Sequence, residues 1–193
     1  MKILYLHGFR SSPASYKARI VEQRMAALGH VSDLICPQLP LSPLQAMALA
    51  MSLVKDIPAD ELAIIGSSLG GFYATYMAEQ LGCRAALVNP SVDPQKNLAN
   101  SVGVLTAWHS SEPFEFRQEY VDELPALKIA RITEPGRYFL LAATGDEVID
   151  YRDMVAHYAG ARQHVIQGGD HAVANFEVYV DEVLSFCGLD VTL

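Results

Sequence analysis

Basic residues are scarce in this chain: 14 lysines and arginines stand against 22 aspartates and glutamates, a formal net charge of -8. A surface that gathers nucleic acid or an anionic membrane needs the opposite sign, so neither partner is expected. Cysteine is rarer still, with Cys36, Cys83 and Cys187 spread widely through apolar surroundings. An odd, scattered set offers no disulfide framework and reads as reduced, buried thiols, which points to the cytoplasm. There is no His-x-x-x-His or Cys-x-x-Cys spacing, so the common zinc patterns are missing and no metal is expected. No Gly-x-Gly-x-x-Gly follows the first apolar run and no Gly-x-x-x-x-Gly-Lys occurs, so no nucleotide cofactor is implied. No apolar run approaches the length of a membrane span. The opening Met1-Lys2-Ile3-Leu4-Tyr5-Leu6-His7-Gly8 is too short, and lacks the small-residue cleavage site, for a signal peptide.

What the chain does hold is apolar substance: 51% hydrophobic against 19% charged over 193 residues. That predicts one globular domain, 1–193, with a substantial core. Six short apolar runs recur, at 3–7, 33–36, 62–66, 85–89, 138–143 and 164–167. None alternates cleanly between apolar and polar, so they read as strands covered on both faces, as in a parallel sheet. Helical stripes lie between them. Ala18, Val21, Met25 and Leu28 make one, Leu69, Phe72, Tyr73, Tyr76 and Met77 another, and Phe176, Val180, Val183 and Leu184 the last. Ser12-Pro13 predicts the cap and first residue of the first helix. Ser42-Pro43-Leu44-Gln45 predicts the same for the second, with Gln45 completing a capping box.

Strand alternating with helix predicts an α/β, doubly wound, mainly parallel sheet of about six strands with helices on both faces. Right-handed crossovers then bring every strand's C-terminal end to one edge, where ligands bind in this architecture. The segment 91–136 breaks the rhythm. It is too long for a simple connection and carries Trp108, Phe114, Phe116 and Tyr120 among polar residues. It reads as a lid-like excursion of helices and loops over that edge, with the aromatics and Arg10 as candidates for a substrate pocket.

The chemistry centres on Gly66-Ser67-Ser68-Leu69-Gly70, an apolar run that ends in Gly-x-Ser-x-Gly and resumes at once with helical spacing. This is the sequence form of a nucleophile elbow, a tight strand-to-helix turn that holds a serine hydroxyl clear of the backbone. The pattern alone arises by chance in about one chain in fifteen of this length. A serine needs a base, and the base needs a carboxylate to orient it. Both follow in the order Ser, acid, His. Asp146 lies just past the run 138–143, and His171 follows Gly168-Gly169-Asp170 just past the run 164–167. Glu147 and Asp150 are alternatives to Asp146, although Asp150 reads as a helix cap and Glu147 as a solvent-facing residue. His30, His109, His157 and His164 occupy a loop, the excursion, a helix and a strand, and read as structural. Two donors are required for the negative oxygen of a tetrahedral intermediate, and the backbone amides of Leu69 and Phe9 are the candidates. His7 reads as a pin for the Phe9 loop.

In combination, these motifs resemble the YqiA-like esterases, a family of small bacterial α/β-hydrolases, nearly end to end. The likeness is carried by Leu6-His7-Gly8-Phe9 with Ser11-Ser12-Pro13, by 66–74, by Asn89-Pro90-Ser91, by Gly145-Asp146-Glu147-Val148 and by the terminal Gly-Gly-Asp-His. The resemblance implies a compact hydrolase fold that lacks the first strands of larger members, with a serine-centred triad and carboxylic-ester hydrolysis. Ser68, Asp146 and His171 are the matching positions. The expected function is cleavage of small-molecule esters or thioesters of short to medium acyl chain, with no cofactor. A non-catalytic ligand-binding protein on the same scaffold, or a peptidase or acyltransferase using the same triad, are the alternatives.

Overall fold

The computed structural model describes residues 1–107 and 112–192. In chain order the elements are β1 (Lys2–Leu6), α1 (Tyr16–Ala27), β2 (Leu34–Ile35), α2 (Pro43–Val54), β3 (Leu62–Ser67), α3 (Leu69–Leu81), β4 (Arg84–Val88) and α4 (Pro94–Leu98). Then come β5 (Gly103–Thr106), β6 (Pro113–Phe116), α5 (Gln118–Glu123), β7 (Tyr138–Ala143), α6 (Tyr151–His157), β8 (Arg162–Ile166) and α7 (Val180–Phe186). Six strands form one sheet in the order β2-β1-β3-β4-β7-β8, and every pairing in it is parallel.

The absence of apolar/polar alternation in these strands has a direct cause. Leu4, Leu6, Leu62, Ile64, Leu140 and Ala142 face one core, filled by α2, α3 and α6. Ile3, Tyr5, Ala63, Ile65, Phe139 and Leu141 face the other, filled by α1 and α7. Both sheet faces are therefore dry, and a polar residue on either would lie unsatisfied beneath a helix. The predicted helical stripes lie on those faces, with Ala18, Val21 and Met25 of α1 and Val180, Val183 and Leu184 of α7 buried. No helix among the described residues is long and apolar enough to cross a membrane.

Three local details differ from the sequence reading. Helix α1 begins at Tyr16 with Ser15 at its cap position, because Ser12 Oγ accepts the Ala14 amide and forms a separate turn ahead of it. The cap of α2 is shared: Ser42 Oγ accepts from Gln45 N, while Glu123 at the end of α5 accepts from both Ser42 Oγ and Leu44 N. That carboxylate fastens the excursion to a helix N-terminus, where negative charge is favoured. The excursion also contains a strand pair, the antiparallel β5–β6, with Gly103 opposite Phe116.

Candidate active site

Ser68 lies between β3 and α3 with φ 56° and ψ -120°, a left-handed conformation that a side chain rarely adopts. The backbone around it is fully engaged. Its N–H donates to Val88 O, and its carbonyl accepts from Gly71 N and Ser91 N. The glycines of the motif are required by close approach. A Cβ on Gly66 would lie 2.4 Å from the Gly70 carbonyl oxygen, and one on Gly70 would lie 1.9 Å from the Leu6 carbonyl oxygen on the neighbouring strand. The strand, the turn and the helix therefore pack backbone against backbone, and this fixes the hydroxyl in place.

Three residues distant in sequence meet here. Ser68 Oγ lies 3.0 Å from His171 Nε2 and donates to it, while His171 Nδ1 donates to Asp146 Oδ2 at 2.8 Å. The second Asp146 oxygen accepts the amides of Val148 and Ile149, each at 2.8 Å, so the carboxylate is held on both sides. The Asp146 side chain is entirely shielded from solvent, whereas the His171 ring is 20% exposed. Asp150, the alternative acid, caps α6 by accepting from Arg152 N, as its position in the sequence suggests.

The position of His171 demands a detour. Between β3 and β8 lie β4 and β7, so their ends stand about 14 Å apart at ordinary strand spacing. The chain after β8 crosses that gap by turning through Gly168 and Gly169, both at φ 75°. Consecutive left-handed residues of this kind strongly favour glycine. Along the way Gly145 N donates to Gly168 O and Gly168 N donates to Thr144 Oγ1, which joins the loops that carry Asp146 and His171.

The loop after β1 lies across the elbow from the other side. A Cβ on Gly8 would sit 3.1 Å from the Ser68 Cβ, so the backbone of this loop abuts the serine. Among the described residues, neither the Phe9 nor the Leu69 amide gives its hydrogen to a protein acceptor. His7 pins the loop: its Nδ1 donates to Gly8 O at 2.9 Å and its Nε2 accepts the Leu39 amide at 3.1 Å. Burial holds this imidazole below its usual pKa, in keeping with a neutral ring that accepts at Nε2. Arg10, at φ 58°, donates from Nε to Thr106 O on β5 and so ties the same loop to the excursion.

The aromatic residues of the excursion form a cluster beside that loop. The Phe9 and Phe116 rings meet edge to face at 4.7 Å, and Tyr120 lies 5.7 Å from Phe116. Phe116 is only 2% exposed, so it backs the cluster rather than forming its open surface. Phe114 and Tyr120 are half-buried and pack on the same core. Trp108, the remaining candidate, lies outside the described residues.

Several contacts escape a reading of spacing alone. Glu147 is exposed as expected, yet its carboxylate accepts the His171 amide at 3.0 Å. Lys17 Nζ donates to Ala172 O at 2.7 Å, and desolvation drives its pKa down to about 8 despite the opposing field of Asp170 and Asp146. Asn89, fully buried, bonds to the last residue of β7, which leads to Asp146, and to the loop of His171. Of these, Asn89 and Glu147 left traces in the sequence, as parts of Asn89-Pro90-Ser91 and Gly145-Asp146-Glu147-Val148, whereas Lys17 left none. No group of three or more His, Cys, Asp or Glu among the described residues could hold a metal ion.

A family model described as "Uncharacterised protein family (UPF0227)" matches residues 2–188. Among solved structures, the chain is similar to mouse alpha/beta hydrolase domain-containing protein 10, with 16% identity, a TM-score of 0.69, and coverage of 95% of this chain and 89% of that one. It is similar to an esterase domain from Rhodothermus marinus at 14% identity and a TM-score of 0.66, covering 99% and 88%. An esterase from Pyrococcus furiosus matches at 15% identity and 0.64, covering 97% and 81%. At these identities the likeness establishes the α/β-hydrolase fold.

Proposed function

From a chain that belongs to the UPF0227 family, also called the YqiA family, we propose a serine hydrolase that cleaves small-molecule carboxylic esters or thioesters through an acyl-enzyme. The observation that carries this reading is the unbroken hydrogen-bond path from the buried Asp146 through His171 to the Ser68 hydroxyl. A serine beside an imidazole in that geometry can lose its proton as its oxygen attacks an acyl carbonyl. His171 Nε2 takes the proton, and Asp146 both fixes the ring's tautomer and stabilises its charged form. The carbonyl oxygen becomes negative and is received by the Leu69 and Phe9 amides, the former at the N-terminus of α3, where the helix dipole assists. His171 then protonates the leaving alcohol or thiol as its bond to the acyl carbon breaks. Water, deprotonated by the same imidazole, releases the acid and restores Ser68.

The Phe9, Phe114, Phe116 and Tyr120 cluster supports an apolar site for the acyl chain beside the oxyanion donors. The test is reaction with a fluorophosphonate. Ser68 Oγ should displace fluoride from phosphorus and carry the phosphonyl mass on the peptide containing residue 68. Absence of label on a folded protein, or label elsewhere, would remove the proposal in favour of a non-catalytic binding role.

A further inference from the structure

The loop carrying His171 crosses about three strand intervals to reach Ser68, and it passes over the end of β4 on the way. Asn89 is the first residue after that strand. It is 0% exposed and stands at φ 41°, a left-handed backbone that asparagine tolerates better than most side chains. Its Nδ2 donates one hydrogen to Asp170 O at 3.0 Å and the other to His171 O at 3.1 Å. Its Oδ1 accepts the Ala143 amide at 2.8 Å, and its own backbone N–H donates to Leu141 O. The orientation of the amide follows from these partners, because only one end can face two carbonyls and only the other can face an N–H.

Resting on the function proposed above, we infer that Asn89 is a positioning residue for the reaction: it sets where His171 stands between Ser68 and Asp146. One side chain grips both parts that must align. Ala143 ends the strand three residues before Asp146, and the two carbonyls belong to His171 and the residue before it. Other restraints on the base loop include the buried side chain of Val173 and two bonds on its partly exposed side. Glu147 accepts the His171 amide, and Lys17 holds the Ala172 carbonyl. Asn89 is itself fully buried, as is its bond to the Ala143 amide. An aliphatic side chain in its place would leave the buried Ala143 amide without this acceptor and take a donor from the His171 carbonyl, whereas the Asp170 carbonyl would keep the Val173 amide.

The experiment compares wild type with Asn89→Asp, which keeps the acceptor for Ala143 but removes both donors, and with Asn89→Gly, which suits the left-handed backbone and removes the amide. If one variant fails to fold, the other serves. On an aryl ester, kcat should fall by about 100-fold, the scale of a misplacement near 1 Å, with KM within about threefold of wild type. A folded variant with kcat within about threefold of wild type, or one whose KM changes in step with kcat, would overturn the inference. Fluorophosphonate labelling of wild-type Ser68 separates the two levels: its failure sinks the hydrolase reading, whereas a labelled wild type beside a fully active variant sinks only the role of Asn89.

Discussion

If the backbone at Ser68 is strained for the sake of the elbow, then removing the hydroxyl in two ways should give two different stabilities. Ser68→Ala and Ser68→Gly both lose the Oγ bond to His171, so that loss cancels between them. They differ in what they can do at φ 56° and ψ -120°. Alanine keeps a Cβ in a sparsely populated region, which costs about 1–3 kcal/mol, while glycine sits there without penalty. Glycine gives back about 0.4–1 kcal/mol through the greater freedom of the unfolded chain, and a few tenths more through a half-buried methyl. The net expectation is a Gly variant about 1 kcal/mol more stable than the Ala variant, or about 2–4 °C in Tm for a domain of this size. Thermal unfolding followed by circular dichroism measures the difference directly. A Gly variant that melts at or below the Ala variant would mean that the Ser68 backbone stores no such strain and that packing around Gly66 and Gly70 does not force the conformation.

Asp146→Asn should lower kcat by about 10⁴ with little change in KM, because an amide favours the wrong imidazole tautomer; a loss within about tenfold would mean that the carboxylate is not the orienting group. The specificity constant should rise about fourfold per added acyl methylene, from about 0.8 kcal/mol of burial, until the site is full. A flat response across an ester series would remove the apolar acyl site. His7 adds a stability term of defined sign. Burial holds its folded pKa below the usual value of about 6.5, so the unfolded chain takes up a proton first as pH falls and stability declines below that point. Urea unfolding at about pH 7.5 and about pH 5.5 should show a larger loss for wild type than for His7→Asn, and equal losses would contradict the assignment.

The parts of the fold that were legible in the sequence are those where burial constrains every position. The continuous apolar runs of β1, β3, β4 and β7 follow from helices on both sheet faces, and all four lie within a residue of their expected bounds. The edge strand β8 starts earlier than its apolar run, at Arg162 and Gln163, because an edge tolerates polar side chains that a central strand does not. The β5–β6 pair escaped because four-residue strands with alternate residues exposed look like loop composition. At the candidate site, Ser68, Asp146 and His171, which the structure brings within hydrogen-bond reach, stand out in the sequence because each follows an apolar run, with glycines marking the turns. Contacts set by tertiary approach had no such signature. Glu123 reaches Ser42 across 81 residues and Glu147 reaches the His171 amide across 24, and no local pattern encodes either. The bond from Arg10 Nε to Thr106 O spans 96 residues and likewise has no local pattern.

In the proposed reaction the Ser68 hydroxyl performs the covalent step. Steady-state hydrolysis of an aryl ester by wild type and by folded Ser68→Ala tests it most directly: a fall in kcat of about 10⁴ to 10⁶ is predicted, and a variant that keeps its activity within about tenfold would contradict it.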